Sequence, residues 1–322
     1  MEQSAKKTLS LKRVILSCVL EEDLELRDNL HGASQGFIYN IITNGDERQA
    51  KDVHDREQRK EFTFRPLYFD SYFSDRKHPG IKYIKKGTKA TLEIIAHTEE
   101  FLRLFLQGSF EQKAKGSFCK FMNHNVIIIE TKLIAGLSAV GLYEKNGSPE
   151  RVLLDFKTPV WFRLLHPKSN LELKGQGYKL KEKLVRFPDP VLLYRTLRDQ
   201  IANYAGYEDW IPSFEEFIGS VFVDKIINGR SMTEKTKRDE KSFEYHEGFV
   251  GKLLYFIDGT PELRNKIFNF LRLGSYFGAG ARTSLGFGQF EVEAKPFTSL
   301  VPPTGDAVDL VGQDLLSDHI SE

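Results

Sequence analysis

The 322-residue sequence predicts an α+β fold made of two consecutive β-α-β-β-α-β units of the ferredoxin-like (RRM-like) kind. Three observations carry this expectation. Alternating apolar runs and helical apolar stripes occur in the same order twice, and turn residues in Lys145–Glu150 (KNGSPE) separate the two runs. A glycine-rich connection, Gly274–Gln289, then precedes the last strand. The units are expected to span 8–148 and 149–296, with 297–322 an acidic tail expected to be disordered.

In the first unit, Leu9–Leu20 alternates and is β-branched enough for a strand. Gly32–Thr43 places Ala33, Phe37, Ile38, Ile41 and Ile42 on one helical stripe. The polar stretch NGDERQAKDVHDREQRKE cannot be core and reads as an exposed loop or a short solvated helix. Phe62–Phe69 and Thr88–His97 resume strand alternation, Glu99–Leu106 is helical, and Val126–Ile129 is a β-branched run. The second unit repeats the order: strand Leu153–Leu165, helix Pro190–Tyr204, strands Val221–Ile227 and Phe249–Ile257, helix Pro261–Leu273 and strand Phe287–Glu293. Thr233–Lys241 (TEKTKRDEK) reads as a basic turn.

Composition narrows the function. No run approaches the roughly 18 apolar residues of a membrane span, and MEQSAKKTLS lacks the apolar core of a signal peptide, so a cytoplasmic protein without membrane contact is expected. Cys18 and Cys119 stand in apolar contexts as small buried hydrophobes. No cluster of histidine, cysteine and carboxylate has metal-ligand spacing, so neither metal nor cofactor is expected. The net charge of +1 hides an asymmetry, because 297–322 carries five acids and no base, leaving 1–296 at +6. Seven basic residues against two acids lie between Arg163 and Arg186, among them Lys174, Lys179, Lys181, Lys183 and Arg186. Such a run is a solvated loop or a phosphate-contacting one.

GSYFGAGARTSLGFGQ, Gly274–Gln289, places five glycines in sixteen positions. A dinucleotide fingerprint needs a third glycine where Thr283 stands, and a phosphate-binding P-loop needs a lysine that the stretch lacks. Its order, helix before and strand after, is also the reverse of both motifs.

A helix followed by GAGARTSLGFGQFEVE, at the end of a double ferredoxin-like chain, resembles the C-terminal signature of the CRISPR repeat-processing endoribonucleases of the repeat-associated mysterious protein superfamily. LHGASQGFIYNII, FKTPVWFRLL and GFVGKLLYFID extend the resemblance over roughly 9–296. The first half is most similar to the archaeal branch, in which a tyrosine, a histidine fifteen positions on and a lysine six further recur; here Tyr39, His54 and Lys60 hold both intervals. The resemblance therefore implies Tyr39, His54 and Lys60 as the catalytic set, with His31 as a rival histidine. It also implies cleavage of precursor CRISPR RNA within its repeats.

The chemistry suits those residue types. RNA is cut without metal when its 2′-OH attacks the adjacent phosphorus, which requires proton transfer and positive charge near the phosphorane. His54 would move a proton as base or acid, Lys60 would stabilise charge, and Tyr39, a poor base at neutral pH, would position the 2′-OH or phosphate. A 2′,3′-cyclic phosphate and a 5′-hydroxyl are the expected products. RNA would be held by Gly278, Gly280, Arg282, Thr283, Ser284, Gly286 and Gly288, by the basic loop, and by Lys235, Lys237 and Arg238. The expected partner is repeat RNA, with CRISPR effector subunits as further candidates and a monomer or homodimer as the assembly. The alternative is a non-catalytic guide-RNA-binding subunit of an effector complex on the same fold.

Overall fold

The computed structural model describes residues 7–8, 11–26, 30–48, 51, 61–75, 78–134, 148–164, 183–205, 207–237 and 243–295. In the first half, Lys12–Leu20 (β1) alternates strictly, burying Val14, Leu16, Cys18 and Leu20 on one face. It is the middle strand of a five-stranded antiparallel sheet. Leu24–Leu26 (β2) leads to the helix Leu30–Gly45 (α1), whose Phe37, Ile38, Ile41 and Ile42 cover the buried face of the sheet. Phe62–Phe69 (β3), Phe73–Asp75 (β4), His78–Ile84 (β5) and Lys89–Ala96 (β6) follow. The helix Glu99–Lys115 (α2) and the hairpin Cys119–Phe121 (β7) and His124–Ile134 (β8) complete the half.

The five strands run β3-β6-β1-β8-β7, the strand order of a ferredoxin-like unit with one added edge strand. The extra strands β2, β5 and β4 form a separate three-stranded sheet absent from the sequence expectation. Local chemistry sets the limits of α2. Thr98 accepts the Phe101 N–H, Glu99 and Glu100 lie at the positive end, Lys113 and Lys115 at the negative end, and Gly116 closes the helix in the left-handed region. Where α1 crosses α2 the backbones touch: a Cβ on Gly108 would lie 2.1 Å from the Ile41 carbonyl oxygen.

The second half repeats the plan with Arg151–Val160 (β9), Pro190–Ile201 (α3), Phe214–Ser220 (α4), Val221–Lys237 (β10), Phe243–Ile257 (β11), Pro261–Ser275 (α5) and Phe290–Lys295 (β12). Its antiparallel sheet runs β10-β11-β9-β12, again the ferredoxin-like order. Asp189 with Pro190, Ser213 with Glu216, and Thr260 with Pro261 start the three helices by side-chain capping. Leu154, Phe156, Leu193, Leu197, Tyr255, Phe270 and Leu271 form the second core, which Leu11 and Ile95 of the first half also enter. Among the described residues no helix is long and apolar enough to cross a membrane.

Several boundaries differ from the sequence expectation: α2 runs to Lys115 rather than Leu106, β8 spans His124–Ile134 rather than Val126–Ile129, and α4 was not expected; two more differences bear on the site. Thr233–Lys237 is not a turn but the end of β10, paired residue by residue until Lys237 meets Phe243. Arg230, Ser231 and Thr233 are exposed there, so a hairpin arm satisfied by backbone pairing shows no apolar alternation. The last strand begins at Phe290 and not at Phe287, because Phe287 is a fully buried side chain of the glycine-rich connection.

The contact between α1 and α2 yields a test. Gly108→Ala should gain up to about 1 kcal/mol of helix propensity yet lose more, about 2 kcal/mol net, to the clash with Ile41. Urea unfolding is expected to show a lower midpoint; an unchanged or raised midpoint would contradict the close approach.

Candidate functional site

The glycine-rich connection packs between the two halves and is held from both. From α1, Gln35 Nε2 donates to the Ser284 carbonyl at 3.0 Å and His31 Nδ1 bonds the Leu285 carbonyl at 2.8 Å. From β9, the Thr158 hydroxyl donates to the Gly286 carbonyl at 2.9 Å and accepts the Gln289 N–H at 2.8 Å. Just upstream, Thr63 Oγ1 and His97 Nε2 meet the Tyr276 carbonyl at 2.8 and 3.2 Å. His31 and Gln35 are four residues apart, so one helix face supplies both clamps.

Most of the loop's own N–H groups are used inside the protein. Gly278 donates to Gly274, Ala279 to Gly288, Ala281 to Trp161, Leu285 to Arg282, Gly286 to Thr283 and Gly288 to Pro159. The N–H groups of Gly278, Gly286 and Gly288 are thus taken by protein carbonyls, and these glycines shape the loop. A Cβ at Gly288, where φ is 64°, would lie 1.8 Å from the Ala279 carbonyl oxygen. Thr283–Leu285 forms a 3₁₀ turn between Arg282 at φ 59° and Gly286. A left-handed arginine costs about 1 kcal/mol and places its side chain, half-buried, at the start of that turn.

Under the loop lies a stack of rings. His31 is 4% exposed and parallel to Phe287 at 3.9 Å. Phe287 stands edge-on to Trp161 at 4.7 Å and to His246 at 5.5 Å, and His246 stacks on Trp161 at 5.0 Å. Burial pushes the His31 pKa down to about 4, against the raising effect of the Leu285 carbonyl; nearby His246 lowers it further. A carbonyl only accepts, so Nδ1 of the neutral ring carries the proton. The rival histidine is thus a buried clamp of the loop. His97, fully enclosed between Tyr276 and Tyr204, is likewise pushed down to about 4 by burial, outweighing the Tyr276 carbonyl and Glu61.

Tyr39 lies two turns beyond His31 on α1, about 12 Å along the helix. Its half-buried ring meets Phe62 edge-on at 6.0 Å, and burial pushes the phenol up to about 12, so it is neutral and can donate a hydrogen bond at pH 7. His54, Lys60, Lys174, Lys179, Lys181 and Arg238 lie outside the described residues. Lys183 falls in the strand Lys183–Val185, and Lys235 and Lys237 in β10, with Lys235 opposite Tyr245. Arg186 pairs with Glu247 of β11 at 2.9 Å, and both are exposed.

The open faces of the two sheets meet in a cleft that includes Arg13, Arg65, Arg272, Asp155 and Glu291. Arg65 spans it, bonding Glu93 of its own sheet at 3.3 Å and Glu291 of the other at 2.8 Å. Sequence reasoning missed Gln35, Thr158, Trp161 and His246. The only available signal was the spacing of His31 and Gln35; the others became neighbours of the loop through sheet register alone.

Residues 154–290 match the family model of the CRISPR-associated endoribonuclease Cas6. No curated protein matches the chain by sequence. The fold is similar to that of the product complex of Cas6 (TTHB231), at TM-score 0.64 and 18% identity, covering 88% of this chain and 99% of that one. Thermus thermophilus Cas6 (TTHB231) aligns at TM-score 0.57 and 17% identity over 89% and 99% of the two chains. A Cas6-related protein from Pyrococcus furiosus aligns at 0.55 and 15% over 89% and 100%.

Two of the buried histidines, His31 and His97, predict a pH response. Each ring titrates near 6.5 when unfolded and about 4 when folded, so its contribution to stability is fully present above pH 6.5 and is lost as pH falls towards 4. The loss should approach about 1.4 kcal/mol per pH unit per ring. Urea midpoints measured across this window should fall with acidification. His31→Gln, which can keep the bond to Leu285, should flatten the slope; an unaltered slope would contradict the assignment.

Proposed function

We propose that this chain, whose residues 154–290 match the model of the Cas6 family of CRISPR-associated endoribonucleases, is an enzyme of that kind and cuts precursor CRISPR RNA within its repeats by metal-independent 2′-OH attack. One observation carries the reading: the glycine-rich loop is docked by His31 and Gln35 onto the same helix that presents Tyr39. Loop and tyrosine are therefore held in one frame, about 12 Å apart along α1. Tyr39 packs on Phe62, and Lys60 precedes Phe62 by two residues, a separation of at most about 7 Å between Cα atoms.

In this reading the first unit, 8–148, carries the chemistry and the second, 149–296, holds RNA. Tyr39, neutral at pH 7, donates a hydrogen bond that orients the 2′-OH or the phosphate. His54 transfers the proton and Lys60 offsets the charge that builds on the non-bridging oxygens. The products are a 2′,3′-cyclic phosphate and a 5′-hydroxyl. Arg282, with Thr283 and Ser284 beside it, contacts the RNA backbone from the loop.

Labelled repeat RNA incubated with the protein in EDTA should be cut, and a 2′-deoxy substitution at the scissile position should abolish cutting. Cleavage of the deoxy substrate, or dependence on added metal, would sink the mechanism. His54→Ala should slow cutting by about 10²–10⁴-fold while binding persists. Arg282→Ala should weaken binding and reduce the salt slope by about one phosphate contact.

A further inference from the structure

The cleft between the open faces of the two sheets, a cavity of about 400 Å³, is left with positive charge in excess. The carboxylates in and beside it are all matched. Glu93 is held by Arg13 at 2.9 Å and by Arg65 at 3.3 Å, and Glu291 by Arg65 at 2.8 Å and by Lys157 at 3.3 Å. Asp155 is held by Lys157 and Lys252, and Glu293 by Lys295. Arg272 is the cation left over. It lines the cleft from the end of α5, and among the described residues no carboxylate pairs with it. Its Nη1 is enclosed without an acceptor, so the guanidinium is partly desolvated and uncompensated. Arg13 lies within electrostatic reach, since both guanidiniums draw down the Tyr276 phenol that burial pushes up. Six cations thus stand against four carboxylates, and the buried Ile95, Leu153 and Phe290 give the same cleft an apolar floor.

We propose that this cleft is the docking site of the chain's own acidic segment, residues 306–318, whose carboxylates meet Arg272 and Arg13 while its leucines and valines lie on the apolar floor. The place where the chain leaves the fold argues for this occupant. Strand β12 lines the cleft from Phe290 to Glu293, and the described residues end at Lys295, so the 27 residues that follow start at the rim of the cleft. Charge argues for it as well, because those residues hold five acids and no base against +6 on 1–296. Asp309 is followed by Leu310 and Val311, and Asp314 by Leu315 and Leu316, so each acid stands beside the apolar bulk that the floor can take.

Reach is sufficient. From Lys295 to Asp306 the chain spans at most about 40 Å, whereas the six residues of β12 cover about 20 Å, so the acids can meet any point along that strand. Tethering supplies a local concentration on the order of millimolar, and contacts too weak to hold a free peptide then suffice. A second consequence rests on the reading of the protein as a nuclease of repeat RNA: the docked carboxylates repel phosphates, so the segment competes with RNA. The docking itself does not depend on that reading.

The test uses the full chain with the photo-crosslinking substitution Leu315→p-benzoylphenylalanine. Illumination should join position 315 to residues 270–295 of the same molecule. The yield should fall severalfold with Arg272→Gln, and likewise when Asp306, Asp309, Asp314 and Asp318 are all replaced by asparagine. Arg272→Gln removes no ion pair of the fold, so thermal unfolding should stay unchanged. Crosslinks scattered over the surface, or a yield that neither set of substitutions lowers, would overturn the docking. Crosslinks between molecules that grow with protein concentration would give the cleft to the acidic segment of a second copy and overturn the contact within one chain. The chain with four asparagines should also bind fluorescein-labelled repeat RNA about three- to tenfold tighter at low salt, a gain that narrows as salt is raised. Unchanged RNA affinity beside an intact crosslink would overturn the competition. A parent chain that neither binds nor cuts repeat RNA would overturn the nuclease reading, and the crosslinks alone would then decide the docking.

Discussion

Three consecutive carbonyl oxygens, those of Ser284, Leu285 and Gly286, are gripped from two different halves of the molecule, and the rest of the site depends on that grip. Gln35 and His31 hold the first two from α1, and Thr158 holds the third from β9. A buried carbonyl without a partner costs about 1–3 kcal/mol, so the loop is stable in this shape only while both halves are in place. The loop is thereby both the joint between the units and a preorganised surface, fixed before any ligand arrives.

This arrangement explains the buried histidines. His31 and His97 each bond a backbone carbonyl, of Leu285 and Tyr276 respectively, and burial keeps both rings neutral. His246 joins the same ring cluster through Trp161 and Phe287. Arg65 adds an electrostatic tie, bridging Glu93 and Glu291 across the cleft between the sheets, and Leu11 and Ile95 bury apolar surface from one half in the core of the other. Two units of the same topology are thus joined by hydrogen bonds, a charged bridge and shared core.

The parts of the fold that were legible in the sequence are those whose burial is one-sided. β1 alternates because only one face meets the helices, and Phe62–Phe69 was readable to the residue because aromatic side chains mark its buried face. The extension of β10 to Lys237 was not legible, since a hairpin arm with exposed Arg230, Ser231 and Thr233 satisfies its backbone without an apolar face. Nor was the sheet β2-β5-β4, whose strands are held by partners distant in sequence, Leu24 opposite Ile84 among them. For the candidate site, Tyr39 was singled out in the sequence by the intervals to His54 and Lys60 that the family resemblance supplies, whereas Thr158 and Trp161 carried no such signal, because no spacing links residues that meet only through register.

The sequence by itself determined the doubled β-α-β-β-α-β order, the helix starts that Thr98, Asp189 and Thr260 cap, and the glycine-rich signature before the last strand. These are local properties, fixed by periodicity, capping and backbone freedom within a few residues. Only the tertiary structure decided what the glycines are for. Their N–H groups and carbonyls find partners in segments as far away as Trp161 and His31, so the stretch that composition marks as an open cradle is a closed, clamped turn. Hydrogen-bond partners that lie more than a hundred residues away are set by packing, and no local pattern encodes them.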